Sequence, residues 1–259
     1  MAVSVLDTAT GIGDNNTNPR SVSAGTDRYW LIAVQHEVAW TTIPSTITVS
    51  GTTSTTLSLI ATATGGTINS ALYGCNDAAI GTSPSTSNGS LTYNADGDTP
   101  ASSGIVVASI VAAGVDQTTP FTNTVDVGYS TDSTNSTQNC PFTLDEVADG
   151  LGVAFVACSK TGTTWTLTDN SYAKNGDGQW VQGTATSGNC ATKLITGNSS
   201  GVTTTLTTGL TGDKTSTLGI MLLPSGGAPA GPDVSPSGIQ TMNYQAMPVQ
   251  ASNLKGGLQ

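Results

Sequence analysis

Apolar residues in this chain come in short runs bounded by Gly, Asn, Asp, Ser and Pro, and almost none recurs with a helical period. Short runs closed by turn residues are the pattern of an antiparallel β-protein. Tyr29-Trp30-Leu31-Ile32-Ala33-Val34 is the clearest strand. It is apolar on both faces and therefore belongs in the middle of a sheet. Ile47 and Val49 alternate with Thr, and Trp165 and Leu167 do the same, as half-buried strands do. Further strands are expected at Leu57–Ile60, Ile68–Cys75, Ile105–Ala113, Leu151–Cys158, Trp180–Val181, Ala191–Ile195, Thr203–Thr207 and Leu218–Leu223. These suffice for two packed sheets. The expected fold is all-β: a two-sheet antiparallel β-sandwich, jelly-roll-like, over residues 1–225, followed by an extended arm over 226–259.

Composition narrows the chemistry. Only 9% of residues are charged, and the surface must be solvated by Thr and Ser hydroxyls. Thr is β-branched and suits the pleated outer face of a sheet. The net charge of −10 leaves no basic stripe to displace counterions, so neither nucleic acid nor an anionic membrane surface is an expected partner. The longest apolar stretch, 105–115, is interrupted by Ser109 and Gly114 and does not reach the length of a membrane-spanning helix. Met1-Ala2-Val3-Ser4-Val5-Leu6-Asp7 has neither the basic start nor the apolar core of a secretory leader, which points to a cytoplasmic origin.

Few groups are available for catalysis. His36 is the sole histidine, and no G-x-S-x-G elbow accompanies it. Glu37 and Glu146 are the only glutamates, so a glycosidase would have to rest on Asp145 and Glu146. No catalytic residues and no cofactor are expected. Asn94-Ala95-Asp96-Gly97-Asp98 and Asn175-Gly176-Asp177-Gly178 have the oxygen-rich look of calcium loops but lack a closing bidentate Glu; they read as Asx turns, and no metal is expected. Asn15, Asn88, Asn135 and Asn198 begin N-x-S/T triplets, which so Ser/Thr-rich a chain produces by chance. Cys75, Cys140, Cys158 and Cys190 lack zinc spacing. Cys75 and Cys158 end apolar strands and read as buried thiols. Cys140 and Cys190 sit in polar, loop-like contexts and are the pair to consider for a disulfide.

The composition changes after Pro224. Residues 226–259 contain only Asp233 and Lys255 as charges, and Pro229, Pro232, Pro236 and Pro248 prevent a helix. Val234, Ile239, Met242, Tyr244, Met247, Val249 and Leu254 are the expected partner-binding residues of this arm. Burying four of them supplies several kcal/mol, at roughly 1.5–3 kcal/mol each before ordering costs.

Four phrases occur in order: Asp27-Arg28-Tyr29-Trp30-Leu31-Ile32-Ala33-Val34, Gly114-Val115-Asp116-Gln117-Thr118-Thr119-Pro120-Phe121, Leu151-Gly152-Val153-Ala154-Phe155-Val156-Ala157, and Ser216-Thr217-Leu218-Gly219-Ile220-Met221-Leu222-Leu223-Pro224. The series resembles jelly-roll, lectin-like β-sandwich virion structural proteins of tailed phages. The resemblance implies that Arg28 caps a strand edge, that Gln117 satisfies turn backbone groups and that Pro120 stops pairing. It also implies a non-enzymatic virion protein made in the host cytoplasm and shown on the particle surface. A capsid decoration or cement protein is expected first, a tail or fibre component next. Its partners would be the major capsid or tail protein and further copies of itself. The alternative is a secreted, extracellular adhesin or carbohydrate-binding module that meets surface glycans through Trp40, Tyr93 or Trp180.

Overall fold

In the computed structural model the described residues are 1–12, 22–36, 43–50, 54–63, 69–81, 90–92, 105–122, 126–130, 138–158, 172–174, 180–182, 186–208 and 215–226. All lie in one compact unit, Met1–Gly227. The unit is an all-β antiparallel sandwich. Its first seven strands are β1 (Ser4–Ile12), β2 (Tyr29–His36), β3 (Thr46–Ser50), β4 (Thr55–Ala63), β5 (Asn69–Asn76), β6 (Ser90–Thr92) and β7 (Ile105–Ala113). They form one sheet in the order β1-β7-β2-β5-β4-β3-β6. A single helical turn, α1 (Asp77–Ile80), follows β5.

The second half of the chain adds β8 (Asp126–Ser130), β9 (Gln138–Glu146), β10 (Leu151–Cys158), β11 (Ala173–Lys174), β12 (Trp180–Gln182), β13 (Thr186–Leu194), β14 (Ser199–Thr208) and β15 (Thr215–Leu222). The second sheet runs β11-β13-β10-β15-β8, with β12 also on β13. The chain thus completes one sheet before beginning the other. β9 and β14 pair with each other as a separate ribbon.

The two sheets meet face to face. Leu31, Ala33, Leu72, Ala108 and Ile110 of the first pack on Val153, Phe155, Leu218, Ile220 and Leu222 of the second. Alternation then puts Trp30, Ile32 and Val34 on the far side of β2, where they join Ile47, Val49, Leu57 and Tyr73. That is why β2 is apolar on both faces: it lies between β7 and β5 with neither face open to water. The polar ends of the two rings are satisfied, with Trp30 Nε1 donating to Ser109 Oγ at 2.7 Å and Tyr73 OH to the Pro44 carbonyl at 3.0 Å. A bulge in β4 between Leu59 and Ala61 changes the alternation, so Leu57 faces outward while Ala63 joins the core between the sheets.

The far face of the second sheet is covered by the β9–β14 ribbon. Phe142, Leu144 and Leu206 pack on Ala154, Val156, Ala191 and Met221. Two glycines make the seat flat. A Cβ on Gly219 would stand 2.5 Å from Phe142 Cδ2, and one on Gly152 would stand 2.4 Å from the Tyr172 hydroxyl oxygen. Phe142 and Tyr172 then meet edge to face at 5.6 Å.

Five of these strands, β1, β6, β8, β9 and β11, escape the sequence reading. β1 begins with a bulge between Val5 and Asp7. β8 and most of β9 fall in or beside a polar tract, and β9 contains Pro141. The proline is accommodated because, among the described strands, β9 pairs with β14 alone. Cys190 corrects a second expectation. It is a free thiol, wholly buried on β13 opposite Phe155, and not a loop residue.

Candidate functional site

The residues singled out from the sequence separate widely. The arm residues Val234, Ile239, Met242, Tyr244, Met247, Val249 and Leu254 lie outside the described residues, as do Trp40, Tyr93, Trp165, Leu167, Asn15, Asn88, Asn135, both calcium-like loops and Glu37, which follows His36 in sequence. Trp180 opens β12 and pairs with Gly188. His36 closes β2 between Asn69 and Ile105. Asp145 and Glu146 are consecutive in β9, so their side chains leave opposite faces of the strand. Asp145 Oδ1 accepts from the Gly201 amide at 2.8 Å, and Glu146 Oε1 accepts from Lys193 Nζ at 2.6 Å. This pair cannot flank one glycosidic bond. Asn198 Oδ1 accepts from the Ala148 amide at 2.7 Å and so ties two turns together. Among the described residues no group of three His, Cys, Asp or Glu is placed to hold a metal ion.

What the structure does bring together is Arg28, Asp77 and Gln117. Arg28 immediately precedes β2 and is 5% exposed. Its Nε donates to Asp77 Oδ1 and its second terminal nitrogen to the Gly81 carbonyl, each at 2.5 Å. The third guanidinium nitrogen reaches the Ser23 carbonyl at 3.4 Å. The planar fork of arginine suits this three-way closure, because its donors diverge toward separate acceptors. Gln117 completes the set. Its Oε1 accepts from the Asp77 amide at 2.8 Å, and its Nε2 donates to the Arg28 and Val115 carbonyls at 3.2 and 2.8 Å. The turn role expected of Gln117 is thus visible, and Arg28 does more than cap a strand end. Asp77, the residue that joins them, carries no signal in the sequence. It sits at the first turn of α1, capped by Asn76, whose Oδ1 accepts from the Ala79 amide at 3.2 Å. Pro120 lies in the turn that follows, where its carbonyl accepts from the Leu223 amide at 3.0 Å.

These elements frame a cleft of about 320 Å³. Its floor is the face of β4 and β5 that looks toward the second sheet, and its walls are α1 and the 115–121 turn. Thr56 and Ser58 of β4, Asn76, Gln117 and Tyr29 supply the polar groups, and Ala79 and Pro120 the apolar rim. Tyr29 lies over Gly74, where a Cβ would stand 2.9 Å from its ring, and meets Phe121 edge to face at 6.1 Å. Only a glycine at 74 admits the ring.

The titratable groups here are set far from neutrality. Burial, and then the neighbouring Cys75, push the Tyr29 phenol up to about 12. Burial pushes the Cys75 thiol up to about 12, with Arg28 opposing. A phenol so placed stays protonated, and such a thiol is no nucleophile near pH 7. The Arg28 guanidinium is engaged on all sides. The cleft therefore offers neutral donors and acceptors in a rigid frame, and it can hold a ligand without exchanging protons with it. Comparisons with family models, curated proteins and solved structures found no match to this chain.

Proposed function

We propose that this chain is a non-enzymatic structural protein of a virion, a decoration or cement protein on the capsid of a tailed phage or a component of its tail or fibre. It is attached partly through residues 226–259, and its partners are the major capsid or tail protein and further copies of itself. The observation that carries the reading is the way the sandwich ends. The Met1 amine donates to the Ser225 carbonyl at 3.1 Å, the Ser225 amide to Gly114 at 2.6 Å, and the Val3 amide to Asp149 at 2.8 Å. Gly114 is in the left-handed region, with φ +73°, and a Cβ there would stand 2.9 Å from the Ala2 carbonyl. The chain thus passes into its apolar, proline-punctuated segment from a point pinned to the rigid body, as a tether requires. The ionisable side chains described above bind turns and strands, which also fits a structural role.

Mass spectrometry of purified particles tests the location, and truncation after Gly227 tests the arm. The truncated protein is expected to melt with the parent and to wash off the particle. Full occupancy without the arm would overturn the tether, and absence of the chain from particles would overturn the virion assignment. The neutral cleft favours a second reading, a carbohydrate-binding module or adhesin.

A further inference from the structure

We infer that the cleft between β4, β5, α1 and the 115–121 turn binds a neutral, hydroxyl-rich unit the size of one sugar ring. This deepens the second reading above, on residues other than the aromatic ones the sequence suggested.

The ligand class follows from what the cleft excludes. Among the described residues an anion finds no available cation, because Arg28 is 5% exposed and bonded to Asp77, Gly81 and Ser23. No carboxylate lines the cleft among the described residues, and Asp77 beside it is paired with Arg28. A peptide cannot add as a strand: β4 is flanked by β3 and β5, and β5 by β2 and β4, so neither presents an open edge. What remains is a set of uncharged side-chain donors and acceptors. Thr56 and Ser58 are exposed and two residues apart on one strand, so both project from the same face, roughly 6.6 Å from each other. That separation matches hydroxyls on opposite sides of a hexose ring. Asn76 uses its Oδ1 on the Ala79 amide, and its Nδ2 adds a donor to the cleft lining. Tyr29, with its phenol held protonated, offers a donor at the cleft floor. Pro120 and Ala79 give the C–H faces of a ring an apolar lip. At about 320 Å³ the cleft is at the small end of ligand sites, which fits one ring and not a chain of them. The frame is preorganised by the Arg28–Asp77–Gln117 bonds, so little ordering cost falls on binding.

The test is an amide-shift titration of the ¹⁵N-labelled full chain by NMR with the methyl glycosides of glucose, galactose, mannose and N-acetylglucosamine, each at millimolar concentration. At least one glycoside is expected to shift amides confined to 56–58, 74–79 and 117–120. Two variants locate the contacts. Thr56→Val with Ser58→Ala removes both hydroxyls from exposed positions. Asn76→Asp keeps the acceptor for the Ala79 amide and removes the Nδ2 donor. Each is expected to weaken binding about tenfold, the size of one or two lost ligand hydrogen bonds, with an unchanged melting temperature. If Asn76→Asp melts lower than the parent, the Thr56/Ser58 variant alone decides. Silence with all four glycosides overturns the inference, as do shifts that map elsewhere or variants that bind as tightly as the parent. The particle experiment is independent of these outcomes.

Discussion

Replacing Gly219 by alanine measures how the third layer is held to the sandwich. Gly219 lies in β15 on the face covered by the β9–β14 ribbon, and Phe142 of that ribbon sits on it. A methyl group there would stand 2.5, 3.0 and 3.1 Å from three atoms of the Phe142 ring, about 1 Å inside ordinary van der Waals contact for the first. The ring cannot swing away easily, since Phe142 is 1% exposed and packed edge to face on Tyr172. Two effects oppose each other. Alanine relieves the backbone entropy cost of a strand glycine, worth about 0.5–1 kcal/mol. Overpacking costs about 1–3 kcal/mol. The clash wins, and Gly219→Ala is expected to lose about 1–2 kcal/mol. Phe142→Ala alone leaves a cavity and costs about 3–5 kcal/mol. In the double variant the methyl has no ring to strike, so its cost should vanish or change sign. Urea unfolding of the four proteins supplies the cycle. A single variant within about 0.5 kcal/mol of the parent, or strict additivity, would refute this account of the ribbon's seat.

Gln35 makes a less intuitive case. It is wholly buried between the sheets, donating to Ser70 Oγ at 3.2 Å and to Ser216 Oγ at 3.5 Å, while its Oε1 has no partner. Gln35→Leu removes an orphaned acceptor worth about 1–3 kcal/mol and two bonds worth about 0.5–1.5 kcal/mol each, while Ser70 and Ser216 keep the bond between them. Neutral or increased stability is expected in denaturant melts, and a loss above about 1.5 kcal/mol would show the amide to be a keystone. Burial pushes the Cys75 and Cys190 thiols up to about 12, so at pH 8 about one in ten thousand is thiolate. In a Cys140→Ser, Cys158→Ser background, neither should react with an aromatic disulfide reagent before unfolding; prompt labelling of the native protein would contradict their burial. Asp116 accepts from the Thr119 and Thr118 amides, which lower its pKa. A depressed carboxyl adds stability above its unfolded value of about 3.9 and loses it as pH falls through the folded value. The stability gap between the parent and Asp116→Asn should therefore be open above about pH 4 and shrink as the pH falls below it, and a gap that ignores pH would count against the turn's charge.

Strands buried on both faces were the most legible ones. Tyr29–Val34 and Leu151–Ala157 carry their environment in their own residues, because a strand covered on both sides must be apolar at every position. Gln138–Glu146 was not legible. Among its described side chains Phe142 and Leu144 are the buried apolar ones, and its proline reads as a loop until its place in the ribbon is seen. Cys190 failed for a related reason. Its neighbours in sequence, Asn189 and Gly188, are polar or small, and its apolar surroundings come from Phe155 across the sheet. Of the cleft, Gln117 and Arg28 stood out through the resemblance, whereas Tyr29 read only as core, and Thr56, Ser58 and Asn76 are the commonplace residues of a Thr-rich chain.

The sequence by itself determined the class of this protein: strands short enough and apolar enough to pair, and turns dense enough to reverse them. Those properties depend on neighbours along the chain, which pattern and composition record. Tertiary structure alone decided that the first seven strands share one sheet, that Asp77 meets Arg28 across 49 positions of chain, and that a ribbon covers the second sheet. It also decided which ordinary hydroxyls and amides surround a cleft. These are contacts between segments distant in sequence, and their energies arise only when closure of the sheets removes water from both partners at once.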